Sequence, residues 1–98
     1  MNINRKVNEE ELIVIVEGRI DTNTAPLLEN EITDIEKFKN LIFDFKDVEY
    51  ISSAGLRVLL TAQKRINKVS GNMKISNVSE NVKDVFEVTG FTDILKIE

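Results

Sequence analysis

Short apolar runs rich in β-branched and aromatic residues alternate along this chain with longer segments of helical period. Leu12 to Val16, Leu41 to Phe45, Met73 to Ser76 and Ile94 to Ile97 have the length and composition of strands. The stretches between them place apolar residues three and four positions apart, as an amphipathic helix requires. A strand that returns to its own sheet through a helix pairs parallel to its predecessor and crosses over with a right hand. The alternation therefore predicts an α/β fold around a mostly parallel sheet. Ile3, Arg5 and Val7 alternate with polar residues, and the turn formers Asn8, Glu9 and Glu10 connect them to Leu12, which predicts an antiparallel hairpin at the N-terminus. The expected order is β-β-α-β-α-β-α-β, in one domain spanning residues 1–98.

The finer expectations follow from the same patterns. The unbroken Leu12–Val16 run reads as a strand buried on both faces and ending near Gly18. Thr22, Asn23 and Thr24 precede Ala25 and Pro26 as a helix start. The first helix should bury Ala25, Leu28, Ile32 and Ile35 and leave Glu29, Glu31, Asp34 and Glu36 in water. The second runs from Ser53 to Ser70-Gly71 with Leu56, Leu59, Leu60, Ile66 and Val69 inward. Ser79 is placed to cap a third helix that carries Val82, Val85 and Phe86 on its inner face, and Gly90 supplies its left-handed stop.

What the chain lacks narrows its chemistry. It has neither cysteine nor histidine, so thiolate nucleophiles, disulfides, sulfur-ligated metals and the usual neutral-pH base are unavailable within it. No metal or other cofactor is expected. Thirteen basic against seventeen acidic side chains give a net charge of −4, which offers no field for a phosphate backbone and argues against nucleic acid. No apolar run approaches the ~20 residues of a membrane span, and the N-terminus lacks the apolar stretch of a signal peptide. The expected address is cytoplasmic.

One segment is unusual. Ser52, Ser53, Ala54 and Gly55 are four consecutive small residues at the carboxyl end of a parallel strand, where open α/β sheets place ligands. Gly55 falls within the first helical turn, where it costs about 0.8–1 kcal/mol relative to alanine. Close packing of the helix start against a strand would explain it, as would close approach by another molecule. Either Ser52 or Ser53 suits the N-cap. Arg57 reads either as a contact residue beside Ser53 or as an ordinary solvated side chain, and Tyr50 as a packing residue. A serine nucleophile served by Lys46 or Lys64 has no supporting motif.

Tyr50-Ile51-Ser52-Ser53-Ala54-Gly55-Leu56-Arg57-Val58-Leu59-Leu60 resembles the signature of the STAS domain family of anti-sigma factor antagonists. Glu17-Gly18-Arg19-Ile20-Asp21, Asn40 to Phe45 and Asn77 to Gly90 are similar to the family's glycine-x-hydrophobic-aspartate segment, central strand and third helix, so the likeness covers nearly the whole chain. Ser52 stands where many members have aspartate, Ala54 where many have serine or threonine, and Arg57 where many have glycine.

The resemblance implies a phosphoacceptor serine at Ser53, with Ser52 as the alternative. It implies a partner-binding surface drawn from Asp21, Thr22, Asn23, Ser52, Ala54, Gly55, Leu56 and Arg57. It further implies an anti-sigma factor with serine kinase activity as partner, a serine phosphatase of the same pathway, and a chain that is a substrate, not an enzyme, and a monomer when free. Single STAS domains also resemble the accessory component of bacterial lipid-transport ATPases, which works without phosphorylation and forms the competing expectation.

Overall fold

The computed structural model describes residues 1–98. Strands β1 (Asn2–Asn8) and β2 (Glu11–Ile20) form the hairpin. They are followed by helix α1 (Ala25–Glu31), strand β3 (Asn40–Ile51), helix α2 (Ser53–Lys68), strand β4 (Asn72–Ser76), helix α3 (Glu80–Val88) and the two-residue strand β5 (Lys96–Ile97). The sheet order is β1-β2-β3-β4-β5, antiparallel at β1-β2 and parallel elsewhere. The expected element order and mixed sheet are both present. No helix is long and apolar enough to cross a membrane.

Strand order that follows chain order has a geometric consequence. Every crossover advances in the same direction, and right-handed crossovers that all advance one way set their helices on one face of the sheet. The buried strand residues obey this: Leu12, Val14 and Val16 of β2, Leu41, Phe43 and Phe45 of β3, and Met73 and Ile75 of β4 join α1, α2 and α3 in a single core. The opposite face has no helical cover. Its residues Ile13, Ile15 and Ile42 are only half-buried, which corrects the expectation that β2 is buried on both faces. The apolar run there reflects an uncovered row of isoleucines, which periodicity cannot tell from a covered one.

Two strands reach farther than expected. β2 passes through Gly18, where φ is +102°, and ends at Ile20. β3 continues through Lys46–Ile51, which the sequence suggested as a connection, and pairs there with Glu17–Ile20 across two register shifts. Each shift admits one extra residue on β3, so buried positions fall at Phe45, Val48 and Ile51 in place of strict alternation. The bulges conceal the strand period.

The helices also differ in detail. α1 stops at Glu31, and a 3-10 turn at Ile35–Lys37 carries the last buried residue of the predicted stripe. Asp34 and Glu36 do not simply face water: Asp34 pairs with Arg5 at 2.8 Å and Glu36 with Arg65. In α2 the inward residues are Gly55, Leu56, Val58, Leu59, Ala62 and Ile66, while Leu60 is half-buried and Val69 lies past the helix end at 44% exposure. Ser79 accepts a hydrogen bond from the Val82 amide, and Gly90 takes φ +78°, as expected of a cap and a stop. Of the last predicted strand, Ile94 is exposed and Leu95 is buried outside β5.

Candidate functional site

The carboxyl ends of β2 and β3 meet at one rim of the sheet. Ile20 pairs with Ile51, and the Ser52 amide donates to the Ile20 carbonyl at 2.8 Å. This bond ties the start of α2 to the end of β2. Asp21, the next residue on β2's side, therefore emerges beside Ser52 and Ser53.

The two serines have different roles in the local structure. Ser52 is the N-cap of α2, extended at φ −92° and ψ 174°, with its hydroxyl oxygen accepting from the Gly55 amide at 3.3 Å. Ser53 is the first helical residue, is exposed, and uses its hydroxyl in no hydrogen bond. Its Oγ thus stands free at the positive end of the helix, where an added anion is electrostatically favoured.

Gly55 answers the question its position raised. A Cβ there would sit 2.6 Å from Ile20 Cγ2 and 2.7 Å from Ile51 Cγ1. The first turn of α2 rests directly on the ends of β2 and β3, and only a hydrogen fits between. Gly55 and Leu56 are both buried, Leu56 at 5% exposure. They set the height and angle of the surface and do not belong to its exposed part.

Asp21 builds the loop into α1. Its Oδ1 accepts from the amides of Asn23 at 2.9 Å and Thr24 at 3.0 Å, and its carbonyl accepts from the Ala25 amide at 2.8 Å. Thr24 Oγ1 in turn donates to the Arg19 carbonyl at 2.7 Å. The Thr24 amide is the main reason that the Asp21 carboxyl is held below its ordinary pKa, the Asn23 amide and the Arg19 charge adding to it against a desolvation that works the other way. Asp21 thus remains anionic beside the serines, and Thr22 and Asn23 are exposed at the tip of the loop it organises.

Ala54 and Arg57 face a groove between α1 and α2 of about 410 Å³, whose walls also include Thr22, Pro26, Glu29 and Arg65. Arg57 is exposed, one turn along α2 from Ser53. The expected surface residues other than Gly55 and Leu56 are therefore gathered at one rim. Sequence reasoning missed a further pair there. Arg19 and Tyr50 are cross-strand partners, and the guanidinium lies 4.4 Å from the Tyr50 ring centroid. Tyr50 is exposed at 39% and is no core residue; its place opposite Arg19 follows only once Lys46–Ile51 is recognised as strand.

The family model for the STAS domain matches residues 2–98. The chain belongs to the STAS domain family. An anti-sigma-B factor antagonist of Bacillus subtilis (strain 168) is 35% identical over 98 residues, covering 99% of this STAS chain and 90% of the relative. The structure of the anti-sigma factor antagonist SpoIIAA in its unphosphorylated form has the same fold, with a TM-score of 0.85 and 18% identity over 99% of this chain and 88% of that one. The Bacillus cell fate determinant SpoIIAA in the phosphorylated form gives a TM-score of 0.77 and 17% identity over 99% of this chain and 91% of that one. At these identities the two structures speak for the STAS fold alone.

Proposed function

We propose that this STAS domain is an anti-sigma factor antagonist whose partner docks on the rim around Ser53 and is released when Ser53 carries phosphate. The partner is an anti-sigma factor with serine kinase activity, and a serine phosphatase of the same pathway restores the free hydroxyl. The 35% identity to an anti-sigma-B factor antagonist across nearly the whole length supports the regulatory role. The division of labour between the serines carries the choice of residue: Ser52 is engaged in capping and Ser53 presents an unengaged hydroxyl.

The chemistry asks little of this chain. Ser53 Oγ attacks the γ-phosphorus of ATP held by the partner, the hydroxyl proton passes to a base of the partner, and ADP leaves. The chain is a substrate and a binding module, consistent with its lack of histidine and of any phosphate-binding loop. Phosphate adds about 1.5 to 2 negative charges at a helix start that tolerates them, so the fold is kept. At a docked surface the same charge must be desolvated and set against partner groups, and the complex loses about tenfold in affinity for each 1.4 kcal/mol.

Incubation with the anti-sigma kinase and ATP, followed by peptide mass spectrometry, tests the reading. Phosphate is expected on Ser53, with none in Ser53→Ala. Modification confined to Ser52, or undiminished in Ser53→Ala, overturns the assignment.

A further inference from the structure

Ser53 and Arg57 are four residues apart on α2 and both are exposed. Helical residues at this spacing are neighbours, with Cβ atoms about 5–6 Å apart. Long helical side chains also lean toward the N-terminus of their helix, covering the turn before their own Cα. Arg57 is thereby within reach of the turn that Ser53 opens. The four ion pairs of the molecule are Arg5–Asp34, Lys39–Glu10, Arg65–Glu36 and Lys74–Glu98. Arg57 takes part in none of them, although Glu29 of α1 lines the same groove.

We propose that Arg57 is the internal receptor for a phosphate on Ser53, forming an intrahelical ion pair that withdraws its guanidinium from the docking surface. The inference rests on the reading of Ser53 as phosphoacceptor and adds to it a second half of the switch. The planar guanidinium fork matches a phosphate with paired hydrogen bonds, which a lysine ammonium does not. An acid placed N-terminal to a base at this spacing is the favourable orientation, since the helix dipole works the same way.

The charged surroundings leave this pair free to form. Asp21 across the rim already spends Oδ1 on the amides of Asn23 and Thr24, and Arg19 lies over Tyr50. Glu29 competes for Arg57 from α1, but with one negative charge against nearly two. Phosphorylation then changes the surface twice, adding an anion at Ser53 and occupying the exposed cation of Arg57.

The test uses the full chain with phosphoserine installed at position 53 during translation, so that no kinase is needed. Phosphorus NMR follows the second ionisation of the phosphate, ordinarily near pH 6. In Arg57→Gln this pKa is expected to rise by about 0.3 unit or more at low salt, and Arg57→Lys should recover part of the difference. Lys64→Gln, exposed three turns from Ser53 on the same helix, should leave the value unchanged, and 1 M salt should shrink the Arg57 effect. Equal phosphate pKa values in the parent and Arg57→Gln proteins overturn the proposal. So does an equal shift in Lys64→Gln, which would show a diffuse field in place of a pair. Should kinase-treated protein carry its phosphate elsewhere, the acceptor reading fails, while the titration still reports whether Arg57 holds a phosphate at position 53.

Discussion

The guanidinium of Arg65 on α2 grips the carboxylate of Glu36 with two hydrogen bonds, that from Nε spanning 2.6 Å. The same group donates to the carbonyls of Ile32 at 3.0 Å and Thr33 at 2.8 Å, which the end of α1 leaves without helical partners. One side chain thus joins α2 to the segment that follows α1 and fixes the groove beside Arg57. Arg65→Met should destabilise the domain by about 1–2 kcal/mol, allowing for partial exposure of the pair. Urea denaturation followed by circular dichroism measures this, and a loss below a few tenths would show the contact to be ornamental.

That pair also sets a dependence on pH. The hydrogen bond from Arg65 is the main reason that the Glu36 pKa falls from 4.5 to about 2. Asp34, bonded first of all to Arg5, and Asp21, bonded to the Thr24 amide, are lowered in the same direction. A carboxyl whose folded pKa lies below its unfolded one stabilises fully above the unfolded value and loses that effect as pH falls through the folded one. Stability should therefore decline from about pH 4.5 toward pH 2, and the decline should be shallower in Arg65→Met. Melts at closely spaced acidic pH values would show parallel curves if Glu36 were not involved.

The serines should separate in a stability measurement without any partner. Ser52→Ala removes the cap of α2 and should cost about 0.5–1 kcal/mol, the low half of the usual range because the bond is long. Ser53→Ala should stay within about 0.5 kcal/mol of the parent. The reverse ranking would assign the cap to Ser53 and remove the ground for its free hydroxyl.

Gly55→Ala sets two effects of opposite sign against each other. Alanine gains about 0.8–1 kcal/mol of helix propensity, but its methyl would enter at 2.6 Å from Ile20 Cγ2 and 2.7 Å from Ile51 Cγ1. Both isoleucines are buried and β-branched, so neither yields cheaply. A net destabilisation of about 1–3 kcal/mol is expected, together with weaker partner binding as α2 lifts from the sheet. A stabilised Gly55→Ala protein would contradict the packing account.

Asp21→Asn retains an acceptor for the Asn23 and Thr24 amides while discarding the charge. It should melt close to the parent yet bind the anti-sigma factor less well or be phosphorylated more slowly. Asp21→Ala should lose both thermal stability and binding. If calorimetry finds parental affinity in Asp21→Asn, the residue serves the loop alone.

The parts of the fold that were legible in the sequence were those set by local period. Ser79, Gly90 and the inward Val82 and Phe86 specify α3 without reference to anything distant, and the alternation of strand and helix specifies the parallel sheet. Lys46–Ile51 was not legible, because two bulges shift its buried positions to Val48 and Ile51 and break the period of two. With that extension hidden, the stacking of Arg19 on Tyr50 was hidden as well. Leu60 and Val69 continue the four- and three-residue steps from Leu56 and Ile66 and so read as inward, whereas the face of α2 that meets the sheet is turned toward Gly55, Val58 and Ala62. The ion pairs of Asp34 and Glu36 depend on Arg5 and Arg65, each 29 residues away, and separations of that length leave no local pattern.

The match between strand order and chain order bears on synthesis. A segment leaving the ribosome need wait for no later strand to find its neighbour: β2 closes on β1, β3 adds to β2, β4 to β3 and β5 to β4. Pairing of this kind keeps loop closures short for a parallel sheet and suits sequential addition during translation. The rim that bears Ser53 draws on β2, the Asp21 loop, β3 and the first turns of α2, all of which precede β4 in the chain, so its strand pairing waits for nothing in the C-terminal third.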